Sequence, residues 1–140
     1  NTAAAVDSDT TAMAIISLAR GKANTTTVKT ALQTGQAYLK NAAYSNGAYG
    51  YTYNGKQIPN ANSTAEAVIA FSTKLNTLKY VNGSFKAGQT ASPLRAMLSY
   101  VNRTGSIKGA ASQTLGVGQV NLANAAYRQA QQKRSVYTLN

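Results

Sequence analysis

Cysteine, histidine and tryptophan are all absent from these 140 residues, and only three side chains carry a carboxylate: Asp7, Asp9 and Glu66. Without thiolate or imidazole there are no disulfides, no Cys/His zinc sites and no Ser-His or Cys-His nucleophile pairs. Three carboxylates are a thin supply of hard ligands, so no metal and no cofactor is expected. No apolar run approaches the length of a membrane span. Proline occurs twice and phenylalanine twice, so an aromatic-walled cavity would have to be built from the nine tyrosines.

The basic side is abundant and uneven. Residues 1–69 hold five basic and three acidic groups, whereas residues 70–140 hold nine basic groups and no acid, within a total of +11. Such a field favours polyanions, including anionic cell-wall polymer. The basic residues are spread along the chain apart from Lys133-Arg134. No zinc-finger, RNA-recognition or KH pattern accompanies them, so nucleic acid is not the expected partner. The remaining polar residues are mostly Asn, Gln, Ser and Thr, a composition associated with exported Gram-positive surface proteins. Asn1 is not an initiator methionine, which suggests a processed product or an excised piece of a longer surface protein. The Asn-x-Ser/Thr sequons beginning at Asn24, Asn62, Asn82 and Asn102 are explained by chance in a chain so rich in Asn and Thr.

The strongest internal signal is a repeat. Asp7-Ser-Asp-Thr-Thr-Ala-Met-Ala-Ile-Ile-Ser-Leu returns, 53 residues on, as Asn60-Ala-Asn-Ser-Thr-Ala-Glu-Ala-Val-Ile-Ala-Phe. Repeats of this length signify stacked supersecondary units sharing one core. Segments 10–20 and 63–75 read as helices apolar nearly all round, buried on every side. Segment 26–42 is amphipathic, with Val28, Ala31, Leu32, Gly35 and Leu39 on one face and Lys29, Gln33, Gln36 and Lys40 opposite. Segment 92–103 opens with Ser92-Pro93, a cap with proline at the first helical position. A fifth helix is predicted at about 118–133. Ser45-Asn-Gly-Ala-Tyr-Gly, Asn82-Gly-Ser-Phe and Thr104-Gly-Ser-Ile each place a glycine turn two residues before a large apolar side chain. The first two read as belonging to strong repeats, and the third as part of an irregular Gly-rich loop (Gly105, Gly109, Gly116, Gly118). One domain, residues 1–140, is expected.

Helices opened by Asn-x-Asn-Ser-Thr-Ala after an Asn-Gly-x-aromatic loop resemble the α/α-toroid superfamily, which includes terpenoid cyclases, protein prenyltransferase β-subunits and cobalamin carriers. The likeness is closest to toroid repeats of bacterial cell-surface proteins. There the opening Asp-x-Asp-Thr-Thr-Ala-Met-Ala is similar to Asp7–Ala14, and a closing helix with Ser-x-Tyr is similar to Gln119–Tyr137. The resemblance implies an all-α fold: a partial toroid of about two and a half inner/outer helix pairs joined by Gly-rich loops. An open fragment would expose its end helices and favour a dimer or further toroid segments.

Asp7-Ser-Asp9-Thr-Thr-Ala also looks like the acid motif of terpenoid cyclases, with Asp9 in the proton donor's place. The repeat argues otherwise. Asn60 and Asn62 occupy the same slots, and an amide supplies no proton. What the copies share is the capacity to cap a helix. Asp7, Asp9, Asn60, Asn62, Ser63 and Glu66 are therefore read as structural caps, the last two as a Ser-x-x-Glu capping box, and no catalytic residue is assigned. Tyr49, Tyr51 and Tyr53 are candidate ligand-binding rings on a short hairpin, or else covers for helix ends. Arg128, Lys133 and Arg134 are candidate polyanion contacts, or else complements to a helix dipole. The expected function is non-catalytic binding or attachment at a bacterial surface, extracellular, to cell-wall polyanion, glycan or a host ligand. The alternatives are a carrier of the cobalamin-binding type or a remote cyclase relative.

Overall fold

A computed structural model describes residues 6–21, 23–74 and 76–135. In chain order it contains α1 (Ser8–Arg20), α2 (Thr26–Ala42), β1 (Tyr49–Tyr53), β2 (Lys56–Asn60), α3 (Ala61–Ser72), α4 (Lys79–Asn82), α5 (Pro93–Ser99) and α6 (Gln113–Gln131). The all-α toroid expectation is overturned by the strands: the described residues are 56% helical and 9% strand, with β1 and β2 paired antiparallel. The cause is local. Alternating Tyr and Thr run into Asn54-Gly55, whose φ angles of 47° and 73° give the type I′ turn that matches strand twist. Gly50 faces Pro59, and a Cβ on Gly50 would run into the Ile58 carbonyl oxygen.

Helix α3 is the axis of the core. It packs against α1, α4, α5, α6 and both strands, while α2 packs on α1. Nine of its twelve residues are buried, among them Ala65, Val68, Ile69 and Phe71. Its repeat partner α1 buries only Ser8, Ala12, Ile15 and Ile16, and Met13 stands 59% exposed. The expectation that both copies are enclosed on every side holds for α3 and fails for α1, which has α2, α3 and β1 about it. Phe71 closes the core against Tyr80 and Phe85, the three rings meeting edge to face at 5.4–5.9 Å. Tyr80 lies on α4, a single turn that hydrophobic periodicity does not reveal.

The helix starts repeat more fully than the sequence suggests. Asp7, Asn60 and Ser112 are the N-caps of α1, α3 and α6, spaced 53 and 52 residues apart, each accepting the backbone N–H three residues on. Helix α6 therefore begins before residue 118 and carries Gly116 and Gly118 inside it. Gly116 allows close approach: a Cβ there would sit 3.1 Å from Ala110 Cβ. Helix α5 ends at Ser99, short of 103, because the chain doubles back. Gly105 turns at φ 82°, Asn102 N–H reaches Ser106 O at 2.8 Å, and Val101 bridges Ile107.

That turn is a copy of the one before β1. Tyr44 N–H reaches Ala48 O at 2.9 Å around Gly47 at φ 79°, and each turn is followed by a fully sheltered side chain, Tyr49 or Ile107. The paired loops are thus the first and third of the three glycine turns. Gly83, in the second, has φ −115° and makes no such reversal. Of the Ser135-Val-Tyr137 ending, Val136 and Tyr137 lie outside the described residues.

Candidate functional site

Backbone alternation puts Tyr49, Tyr51 and Tyr53 on one face of β1, opposite Asn60, Ile58 and Lys56. Their environments diverge along the strand. Tyr49 is 0% exposed, and its hydroxyl donates to Leu39 O at 2.9 Å. Its backbone N–H donates to the buried Thr64 hydroxyl at 3.0 Å, which in turn donates to Asn60 O at 2.6 Å. Burial alone pushes the Tyr49 phenol far above its ordinary range. Tyr49 is therefore a core anchor and not a displayed ring, which corrects its place among the ligand-binding candidates. Tyr51 and Tyr53 are 56% and 65% exposed, carried outward by the hairpin that Tyr49 holds at its root.

At the base of the hairpin a cleft of about 500 Å³ opens. One wall is Tyr51, Ile58 and Pro59, the floor is Asn60–Ser63 at the start of α3, and the far wall is Tyr100 with 108–111. Asp9 of α1 enters from the side. The N-terminal turns of α1 and α3, and the loop leading into α6, thus meet around one space. The far wall is fixed by Gln113, whose amide both donates to Ile107 O and accepts from Ile107 N–H at 2.8 Å. Lys108 is tied back to Ser99 O at 2.9 Å. Burial raises the Tyr100 phenol above its usual value, and the neighbouring Tyr44 adds to that.

The acidic residues separate into three roles. Asp7 is a cap: it accepts Thr10 N–H and Thr10 Oγ1, each at 2.8 Å, and chiefly the backbone bond lowers its carboxyl pKa. Asp9 lies two residues inside α1 and ties two helices together, accepting from Ser8 Oγ at 3.2 Å and from Ser63 Oγ at 3.0 Å. Glu66 forms no capping box with Ser63. The α3 cap is Asn60, and the Glu66 carboxylate accepts from Gln119 Nε2 of α6 at 2.9 Å. Burial chiefly, with a contribution from Asp9, raises the Glu66 carboxyl, while the Gln119 bond opposes the shift. Asn62 lies on the cleft floor, and Ser63 spends its hydroxyl on Asp9.

Arg128, Lys133 and Arg134 lie exposed near the other end of α6, a helix of 19 residues spanning roughly 28 Å. Lys133 terminates it: at φ 58° its N–H reaches Ala130 O at 3.0 Å, and Arg134 N–H reaches Gln129 O at 2.8 Å, a Schellman ending. The structure does not bring these cations to the tyrosine hairpin. What sequence reasoning missed is the far wall of the cleft, Tyr100 and Lys108. The likeness of Thr104-Gly-Ser-Ile to Ser45-Asn-Gly-Ala-Tyr was the available signal. Among the described residues no group of three or more acidic side chains is placed to hold a metal, and no helix is long and apolar enough to cross a membrane. No protein-family model, no curated protein and no solved structure matches the chain.

Proposed function

We propose that this protein is a non-catalytic binding domain of a bacterial surface, acting outside the cell and attaching through the hairpin end of the molecule. The observation that carries the reading is the pair Tyr51 and Tyr53, large rings exposed on a short type I′ hairpin whose root is fixed in the core by Tyr49. Tyrosine side chains have few rotatable bonds and lose little freedom on binding, and they offer flat apolar faces with a polar tip. The absence of Cys and His fits a role without nucleophilic or thiolate-metal chemistry. Asp9, the one residue with a likeness to a proton-donating acid, accepts two hydroxyl hydrogen bonds beside an open cleft rather than a dry cavity.

The test is sedimentation of the purified protein with isolated Gram-positive cell walls. Tyr51→Ala with Tyr53→Ala is expected to reduce the bound fraction about tenfold or more, as loss of aromatic anchors does, without lowering the melting temperature. Undiminished binding by the double variant contradicts the reading. The net charge of +11 favours a second contribution from Arg128, Lys133 and Arg134 on anionic polymer. That contribution weakens as salt rises, whereas ring stacking persists.

A further inference from the structure

We infer that the cleft between the hairpin and the Tyr100–Ala111 wall is a subsite for one pyranose ring of a neutral glycan. The inference rests on the reading of the protein as a surface-binding domain and names the ligand class of its hairpin end.

Size and chemistry both point to it. A volume of about 500 Å³ falls within the range of small-ligand sites. Its lining is two-natured. Tyr51 and Tyr100, with Ile58 and Pro59, offer apolar and aromatic surface, while Asp9, Asn62 and Ser63 form a polar edge along the starts of α1 and α3. A pyranose has the matching division: flat C–H faces for rings, and a rim of hydroxyls that each donate and accept. Donors and acceptors are both present. The Asp9 carboxylate is an acceptor. The first-turn N–H groups of α3 have no partner within the helix, and Asn60 takes only that of Ser63. The Tyr100 hydroxyl, which lines the far wall, is a donor as well as an acceptor.

Other ligand classes fit less well. A wholly apolar ligand would strip water from the Asp9 carboxylate and leave only the Ser8 and Ser63 hydroxyls to offset the loss. A polyanion would meet that carboxylate, and a simple cation would meet Lys108 and the positive ends of two helices. Neutral hydroxyls offend none of them. The site is also set before binding. Asp9 is held from both sides by Ser8 and Ser63, and the far wall is held by the Gln113 clamp on Ile107. Such preorganisation lowers the cost of binding. The groove of about 290 Å³ between α1 and α2 differs in kind, being walled by Val6, Ala14, Ile15, Leu18 and Ala31 with little polar edge. Nothing indicates its occupant.

The test is titration of ¹⁵N-labelled protein with glucose, galactose, mannose and N-acetylglucosamine and their short neutral oligomers, followed by amide shifts. At least one is expected to give saturable changes gathered on Asn62, Ser63 and 109–111. Asn62→Ala is expected to weaken that binding about fivefold, the loss of one or two hydrogen bonds, with the fold unchanged. Saturable shifts confined to the Tyr53 tip, or binding indifferent to Asn62→Ala, overturn the subsite while leaving the surface-binding reading in place. Absence of binding by every sugar also overturns it. If the intact protein in addition fails to sediment with cell walls, the broader reading falls too.

Discussion

Helices α1 and α3 begin with two copies of one twelve-residue pattern, identical at four positions, and end in different surroundings. Both N-caps accept the backbone N–H three residues on, Asp7 from Thr10 and Asn60 from Ser63, each at 2.8 Å. Both second hydroxyls bond back to the cap carbonyl, Thr11 to Asp7 at 2.7 Å and Thr64 to Asn60 at 2.6 Å. Yet α3 is enclosed by four helices and the hairpin, while α1 leaves Met13, Ala14 and Ser17 in solvent. The repeated block encodes a way of starting a helix, and its place in the chain decides how much of that helix is buried. The hairpin inserted before the second copy, and α6 laid against its far side, account for the difference.

The contrast should be largest where the copies differ in burial. Phe71 is fully buried, and its counterpart Leu18 only partly so. Phe71→Ala is expected to cost about 3–5 kcal/mol in chemical denaturation and Leu18→Ala about 1–2 kcal/mol. Equal losses would mean that α1 is as enclosed as α3. Next come the threonines. Thr64 accepts the buried Tyr49 N–H besides bonding the cap, whereas Thr11 has only the cap carbonyl. Thr64→Val should therefore cost about 1–3 kcal/mol and Thr11→Val about 0.5 kcal/mol.

The caps should differ in pH response more than in size. Asp7→Ala and Asn60→Ala are each expected to cost about 1 kcal/mol at neutral pH. The Asp7 carboxyl is shifted downward on folding, so its stabilisation is present above its ordinary value of 3.8 and is lost as pH falls through its lower folded value. The cost of Asp7→Ala should thus shrink in acid while that of Asn60→Ala does not, which urea titrations at neutral and acidic pH would separate. The smallest effect belongs to the third copy of the helix start, at the end of its helix. Lys133 adopts φ 58°, a conformation glycine accepts freely, so Lys133→Gly should stabilise by up to about 1 kcal/mol. A loss on that substitution would show that the lysine side chain contributes more than its backbone costs.

The starts of α1, α3 and α5 were legible from sequence because capping is local chemistry: Asp7, Asn60 and Ser92-Pro93 act where their residue types say. The amphipathic face of α2 was plain in part: Leu32 and Leu39 are buried as spaced, whereas Ala31 of the same expected face is exposed. The hairpin was legible only as an option, since alternating Tyr around Asn-Gly serves a displayed strand or a buried one. Here it is both, buried at Tyr49 and exposed at Tyr53. The start of α6 was hidden because Gly116 and Gly118 read as loop, although Gly116 marks contact with Ala110 and Ile107. Glu66 misled for a related reason. A Ser-x-x-Glu spacing is a capping box only if the serine is the cap, and the cap lies three residues earlier. The cleft could not be read at all, since its walls come from residues 9, 51, 58–63, 100 and 108–111, joined only by tertiary packing.

The central claim, that the hairpin end is the attachment surface, is tested most directly by amide hydrogen exchange of the protein free and bound to isolated cell walls. The account predicts added protection on 49–63 and 100–111. Protection confined to 128–135, with the hairpin and cleft unchanged, would contradict it and place attachment at the basic end of α6.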